Sequence, residues 1–256
     1  MLKIINLDFK NILKNIDIEV RDNEIVSIIA ANNVGKTLLC NIVNTTIKTT
    51  SNIFLNDYEI NLNKHNYLRR ISFIPESFFF INDLVYQEIK MPLYNLNLNI
   101  KEINEKYEEV IKFLDINYLS NKTIKELSVY EKFLVFLAKA LITKPKLIII
   151  DDVFKSIDKE DYKKVFILLE KIKKDCSILI TSIYFDPILY SDYVYYLEDK
   201  TIKYKGKKEK IFKLDNELVK GNIKIDDVIL SSLALNCYEV MNKVVRDKKE
   251  LVDILW

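Results

Sequence analysis

The sequence predicts an α/β fold built around a parallel β-sheet. Two short apolar runs, "KLIIID" (146–151) and "SILITS" (177–182), are separated by "KEDYKKVFILLEKIKKD", whose apolar residues recur at helical spacing. A third run, "EIVSIIA" (24–30), is followed directly by "ANNVGKTLLCNIVNTTI", which from the glycine on has the same helical spacing. Strands buried on both faces read as continuous hydrophobic runs, and their alternation with helices marks a parallel sheet covered on both sides.

The other elements follow in chain order. "KIINLDF" (3–9) and "LKNIDIEV" (13–20) alternate as antiparallel strands do, and "NIFLNDYEI" (52–60) continues that pattern after the first helix. From about residue 82 to 143 helical patterns dominate, in "DLVYQEIKMPL", "NEKYEEVIKFLDI" and "YEKFLVFLAKALI". "YVYYLEDKTIKYKG" (193–206) reads as a hairpin turning at Asp199 and Lys200. Beyond about residue 215 the pattern is mixed helical, with no motif. The chain has only 3 Gly and 4 Pro, so its many Asn and Asp residues are expected to supply the left-handed turn positions.

Composition narrows the class. A chain of 256 residues, 49% apolar and 30% charged, is that of a soluble globular protein with one sizeable core. The net charge of +2 gives no electrostatic footprint for nucleic acid, and none is expected as a partner. Cys40, Cys176 and Cys237 are far apart and lack metal spacing, as reduced cytosolic thiols do. "MLKIINLDFK" has no basic flank followed by a long apolar stretch, so no signal peptide is expected, and no run reaches the roughly 18 residues of a membrane span. The expected location is the cytoplasm, peripheral to the cytoplasmic face of a membrane. His65, the single histidine, lies in a polar stretch and is read as a surface residue.

Chemistry concentrates first in "AANNVGKT" (30–37). Gly35, Lys36 and Thr37 complete the pattern G-x-x-x-x-G-K-[ST], with Ala30 at the first glycine and Asn33 inside the loop. Backbone N–H groups of such a loop (Ala30, Asn32, Asn33, Val34, Gly35) and of the helix that follows cradle phosphates. Lys36 reaches the β- and γ-oxygens, and the Thr37 hydroxyl is a magnesium ligand. Asn33 suits a position of positive φ. The alternative is a chance G-K-T at a helix start. The second centre is "KLIIIDD", an apolar strand ending in paired acids. Asp151 there would hold magnesium and Asp152 would stand beside an attacking water, unless the pair merely caps the next helix.

With these motifs in order, the chain resembles the nucleotide-binding subunit of an ATP-binding-cassette (ABC) transporter from about residue 2 to 213. Phe9 stands where that family stacks an aromatic on adenine. "ISFIPE" (71–76) matches the strand to the glutamine loop, with Glu76 for Gln and so a further oxygen for magnesium. "LSVYE" (127–131) stands where the signature LSGGQ belongs, Ser128 keeping its donor. "KSID" (155–158) follows the second carboxylate, and Ile183 replaces the switch histidine. The resemblance implies a P-loop NTPase of ABC type, with a parallel sheet core, an N-terminal antiparallel β subdomain and an inserted helical subdomain at about 77–143. It implies a nucleotide-binding domain over 1–215 and a C-terminal accessory segment over 216–256. ATP and Mg²⁺ are the implied cofactors, and the implied partners are an integral membrane permease and a second cassette.

The departures fall on catalysis. Asp152 is one methylene shorter than the family's glutamate, and Ile183 cannot hydrogen-bond a γ-phosphate. Val129 and Tyr130 add side chains where a backbone must approach the nucleotide of the opposite subunit. "SVYE" is also a capping box, with Ser128 at the N-cap and Glu131 at N3. The expectation is therefore weak hydrolysis alone and a heterodimer with an intact cassette rather than a homodimer. A non-transport regulator and a nucleotide-independent structural partner remain the alternatives. The aromatics in "SFFFINDLVY", just after Glu76, either pack into the core or receive the membrane subunit.

Overall fold

The computed structural model describes residues 1–208. The expected C-terminal segment at 216–256 and Cys237 lie outside the described residues. In chain order, β1 (Leu2–Phe9) and β2 (Leu13–Val20) form a hairpin, followed by β3 (Ile25–Ile29) and α1 (Lys36–Val43). Next come β4 (Asn52–Leu55), β5 (Tyr58–Glu59), α2 (Lys64–Leu68) and β6 (Ile71–Ile74). The helical block holds α3 (Val85–Lys90), α4 (Ile100–Phe113) and α5 (Val129–Leu141). The chain then forms β7 (Leu147–Asp151), α6 (Lys159–Ile172) and β8 (Ser177–Ser182). It continues through α7 (Asp186–Tyr190), β9 (Tyr193–Glu198) and β10 (Thr201–Gly206).

Two sheets result. A four-stranded antiparallel sheet has the order β2-β1-β4-β5, and a six-stranded sheet has the order β10-β9-β3-β8-β7-β6. In the larger sheet β3, β6, β7, β8 and β9 run parallel, and β10 joins antiparallel as an edge. The fully apolar runs are its centre, since every residue of β3, β7 and β8 is buried. Each such Ile or Leu contributes about 1.5–3 kcal/mol of burial, so the strand ends are held rigidly. Because these strands are parallel, the residues after β3, β6, β7 and β8 all emerge at one carboxyl edge, where ligands of open α/β sheets bind.

Local details follow the side chains. "NIFLNDYEI" is not one strand, because Asn56 takes φ 52° and turns β4 into β5. Among the described residues, fourteen non-glycine residues have positive φ, and ten of them are Asn or Asp. The expected substitution of glycine by these residues holds. Asp199 (φ 45°) and Lys200 (φ 71°) form the turn between β9 and β10, as the sequence predicts. α2 and α7, of five residues each, are too short to show a period and are found only in the structure. His65 lies exposed on α2.

The aromatic stretch after Glu76 divides between its two readings. Phe78 and Phe80 pack on Phe136 of α5, at ring separations of 5.3 and 4.9 Å. Phe79 and Ile81, between and beyond them, are 76% and 64% exposed. Glu88 of α3 fixes the exposed side of this loop. It is fully buried, accepts the N–H of Ile81 (3.1 Å) and of Asn82 (2.9 Å), and pairs with Lys139 of α5. Burial alone would raise the Glu88 carboxyl, but the Lys139 and Asn82 donors outweigh it and hold it below its ordinary value.

Candidate nucleotide-binding site

The loop between β3 and α1 has the backbone that a phosphate cradle requires. Ala30 is fully buried and its N–H donates to the Ser182 carbonyl at 3.1 Å, so the missing first glycine leaves the strand end in register. Asn33 adopts φ 62°, the left-handed position anticipated for its amide side chain. Gly35 adopts φ 107°, and a Cβ there would meet Leu13 Cδ2 at 2.9 Å. This glycine is needed twice over, for its backbone and for the approach of the β1–β2 turn. α1 begins with no side-chain cap, so the N–H groups of Lys36, Thr37 and Leu38 point into the loop without intrahelical acceptors.

Lys36 is 5% exposed and folds over this loop. Its Nζ donates to the carbonyls of Ala30 (2.9 Å) and Ala31 (2.8 Å) and lies 3.5 Å from Asp152 Oδ2. Burial lowers its pKa below the ordinary lysine value, with Asp152 acting in the opposite direction. Phosphate oxygens are stronger acceptors than these carbonyls, because both partners are then charged.

β7 and β8 deliver the acids. Asp151 lies opposite Thr181 in the parallel register and accepts its hydroxyl at 2.6 Å. Burial raises the Asp151 carboxyl above its ordinary value, against the pull of the Thr181 and Thr37 hydroxyls nearby. Among the described residues no group of three His, Cys, Asp or Glu side chains is placed to hold a metal by itself. Thr37, Asp151 and Glu76 are hard oxygen donors and suit a magnesium ion that shares its remaining sites with phosphates and water. Such an ion would supply the positive charge that keeps a buried Asp151 ionised.

Asp152, expected to stand beside an attacking water, is enclosed by charged and polar partners. It is 1% exposed and sits at φ 49°, a left-handed position that costs a non-glycine residue energy. Its N–H donates to the Thr181 carbonyl (3.0 Å), and its Oδ1 accepts the Ile183 N–H (3.1 Å). Its Oδ2 lies 2.7 Å from Lys155 Nζ and 3.5 Å from Lys36 Nζ. Lys155 reaches on to Glu76 Oε1 at 3.0 Å. Sequence reasoning missed Lys155. No local signal marks it, because its partner Glu76 is 79 residues away in the chain.

The remaining residues are placed as follows. Phe9 is half-buried, carries Lys10 Nζ 5.5 Å over its ring, and lines a groove with Thr45, Ile47 and Lys48. Val34 packs on the same core cluster as Phe9, while Asn32 is exposed in the loop. Ser128 is the N-cap of α5 and forms the anticipated box. Its hydroxyl accepts the Glu131 N–H (3.1 Å), and Glu131 accepts the Ser128 N–H (2.9 Å). Val129 stands 40% exposed at the helix start, and Tyr130 turns back onto the core. Ile183 is buried and presents only its backbone N–H to the acids.

Comparison with known proteins agrees with this geometry. A family model described as "ABC transporter" matches residues 13–155. A molybdate/tungstate import ATP-binding protein of Methanocaldococcus jannaschii is 33% identical over 180 residues, covering 68% of this chain and 59% of that protein. A methionine import ATP-binding protein of Staphylococcus epidermidis is 29% identical over 178 residues, covering 67% of this chain and 52% of that one. The chain thus spans little more than half the length of these two relatives. An energy-coupling factor transporter ATP-binding protein of Ligilactobacillus salivarius is 27% identical, with coverage of 100% and 95%. Among solved structures, cbiO1 of Clostridium perfringens, described as part of the ABC transporter complex cbiONQ, shares the fold. Its TM-score is 0.77 at 23% identity, covering 86% of this chain and 92% of that one.

Proposed function

This chain belongs to the ABC transporter family, and we propose that it is an ATP-binding subunit that couples nucleotide binding to a membrane permease. The observation that carries the proposal is the meeting of Lys36, Thr37 and Asp151 at the carboxyl edge of the parallel sheet, on a loop whose backbone is shaped for phosphate. Family membership brings an ATP site. In the proposed arrangement the loop from Ala30 to Gly35 holds the phosphates with Lys36 and Thr37, Phe9 takes the adenine, and Thr37, Asp151 and Glu76 face magnesium. Residues about 77–143 are the proposed helical subdomain. Its exposed Phe79 and Ile81, backed by Glu88, are suited to an apolar segment of the permease.

We place the chain with a second, more complete cassette. The support is the distribution of its departures. Asp152 and Ile183 weaken its own half of a site, and Val129 and Tyr130 weaken the half it would offer to a partner. Two copies would give two sites damaged on both sides, whereas an intact partner would leave each damaged on one side only. No described helix is long and apolar enough to cross a membrane, so the proposed attachment to the cytoplasmic face runs through the permease. Affinity purification of the tagged chain from detergent-solubilised membranes is expected to bring down an integral membrane protein and a second cassette. Recovery of the chain alone from intact, gently solubilised membranes would contradict the coupling role. Recovery with the permease but with only a second copy of itself would contradict the heterodimer.

A further inference from the structure

Lys155 joins two loops that the sequence keeps far apart. Its ammonium lies between Asp152, after β7, and Glu76, after β6, at 2.7 and 3.0 Å. Asp152 Oδ2 also faces Lys36, so one buried carboxylate oxygen is flanked by two lysines from opposite sides of the site. Lys155 is not an ordinary surface pairing. Its side chain is 26% exposed and its nearer partner only 2%, so the contact is shielded from solvent. The charges of Glu76 and Lys155 cancel, so the pair changes the chemistry of the site without changing its net charge. The Glu76 oxygen that would face a metal already holds a cation.

We propose that Lys155 is a resident cation of the nucleotide site, holding Glu76 and Asp152 neutralised against the triphosphate, so that ATP binding here depends only weakly on magnesium. This rests on the reading of the site as an ATP site. Lysine carries three donors on a flexible stem. Two are spent on Glu76 and Asp152, and the third is free to meet a phosphate oxygen seated beside Lys36. A metal approaching Glu76 must displace this ammonium, whereas a bare triphosphate need displace only the bonds of Lys36 to the Ala30 and Ala31 carbonyls. Without Lys155, Glu76 and Asp152 would stand uncompensated against the phosphates, and magnesium would become necessary.

The test is calorimetric titration of ATP into the wild-type chain, Lys155→Ser and Lys155→Arg, each with excess magnesium and with EDTA, and with melting curves to establish folding. Wild type is expected to lose less than about threefold in affinity on removal of magnesium. Lys155→Ser is expected to lose about tenfold or more, the size of one hydrogen bond to a charged group. Lys155→Arg, which keeps the charge, is expected to follow the wild type. Equal magnesium dependence in wild type and Lys155→Ser overturns the role of Lys155 while leaving the ATP site standing. Absence of binding by the wild type in both conditions overturns the ATP site itself, and the inference with it.

Discussion

Purified by itself, the chain is expected to hydrolyse ATP at least about 10²-fold more slowly than the roughly 10 per second typical of enzymes. The carboxylate that would orient the water is withdrawn twice. Asp152 is one methylene shorter than the family's glutamate, about 1 Å, a displacement that alone can cost about 10²-fold. It is also engaged, since Lys155, Lys36 and the Ile183 N–H hold both of its oxygens. Ile183 adds no transition-state hydrogen bond, and loss of one such donor costs on the order of 10²–10³. The two losses act on one step and need not multiply, so the smaller figure is the safer floor. Phosphate release under saturating ATP measures it directly. Turnover near the typical enzyme rate would mean that Asp152 leaves its lysines when nucleotide binds and serves as an effective base.

Replacing Lys36 by alanine is expected to lower ATP affinity by at least about 10²-fold, the worth of two charge-assisted hydrogen bonds to phosphate. The substitution also acts on the fold. Breaking a buried ion pair costs about 3–5 kcal/mol when it strands a charge, but Asp152 keeps Lys155, so a smaller loss of about 1–3 kcal/mol is expected. Binding and folding are separated by thermal melting. Lys36→Ala should melt cooperatively at a lower temperature and show no upward shift with millimolar ATP, whereas wild type should shift. An ATP-dependent shift that survives in Lys36→Ala would place the nucleotide elsewhere.

The sheet was legible because burial on both faces leaves no polar position to alternate. "IVSII", "LIIID" and "SILITS" emerge as β3, β7 and β8, all buried. The phosphate loop was legible from three residues, Gly35, Lys36 and Thr37, placed between a strand and a helix. Its two departures turn out to be tolerated, Ala30 by its bond to Ser182 and Asn33 by its positive φ. The box at Ser128 and Glu131 could be read because capping is local. What could not be read depends on tertiary approach. Lys155 and Glu76 are 79 residues apart and meet only because β6 and β7 are neighbours. The left-handed backbone of Asp152 and the alternation of half-buried Phe78 and Phe80 with exposed Phe79 and Ile81 leave no periodic trace either.

That the carboxyl edge of this sheet holds ATP is the claim on which the rest depends. Equilibrium dialysis of the wild-type chain against labelled ATP and magnesium tests it most directly. Retention of one labelled ATP per chain, displaced by unlabelled ATP and lost in Lys36→Ala, is the expected result. No retained label at millimolar ATP would contradict it, and would leave the lysines and acids of this edge as a structural charge network alone.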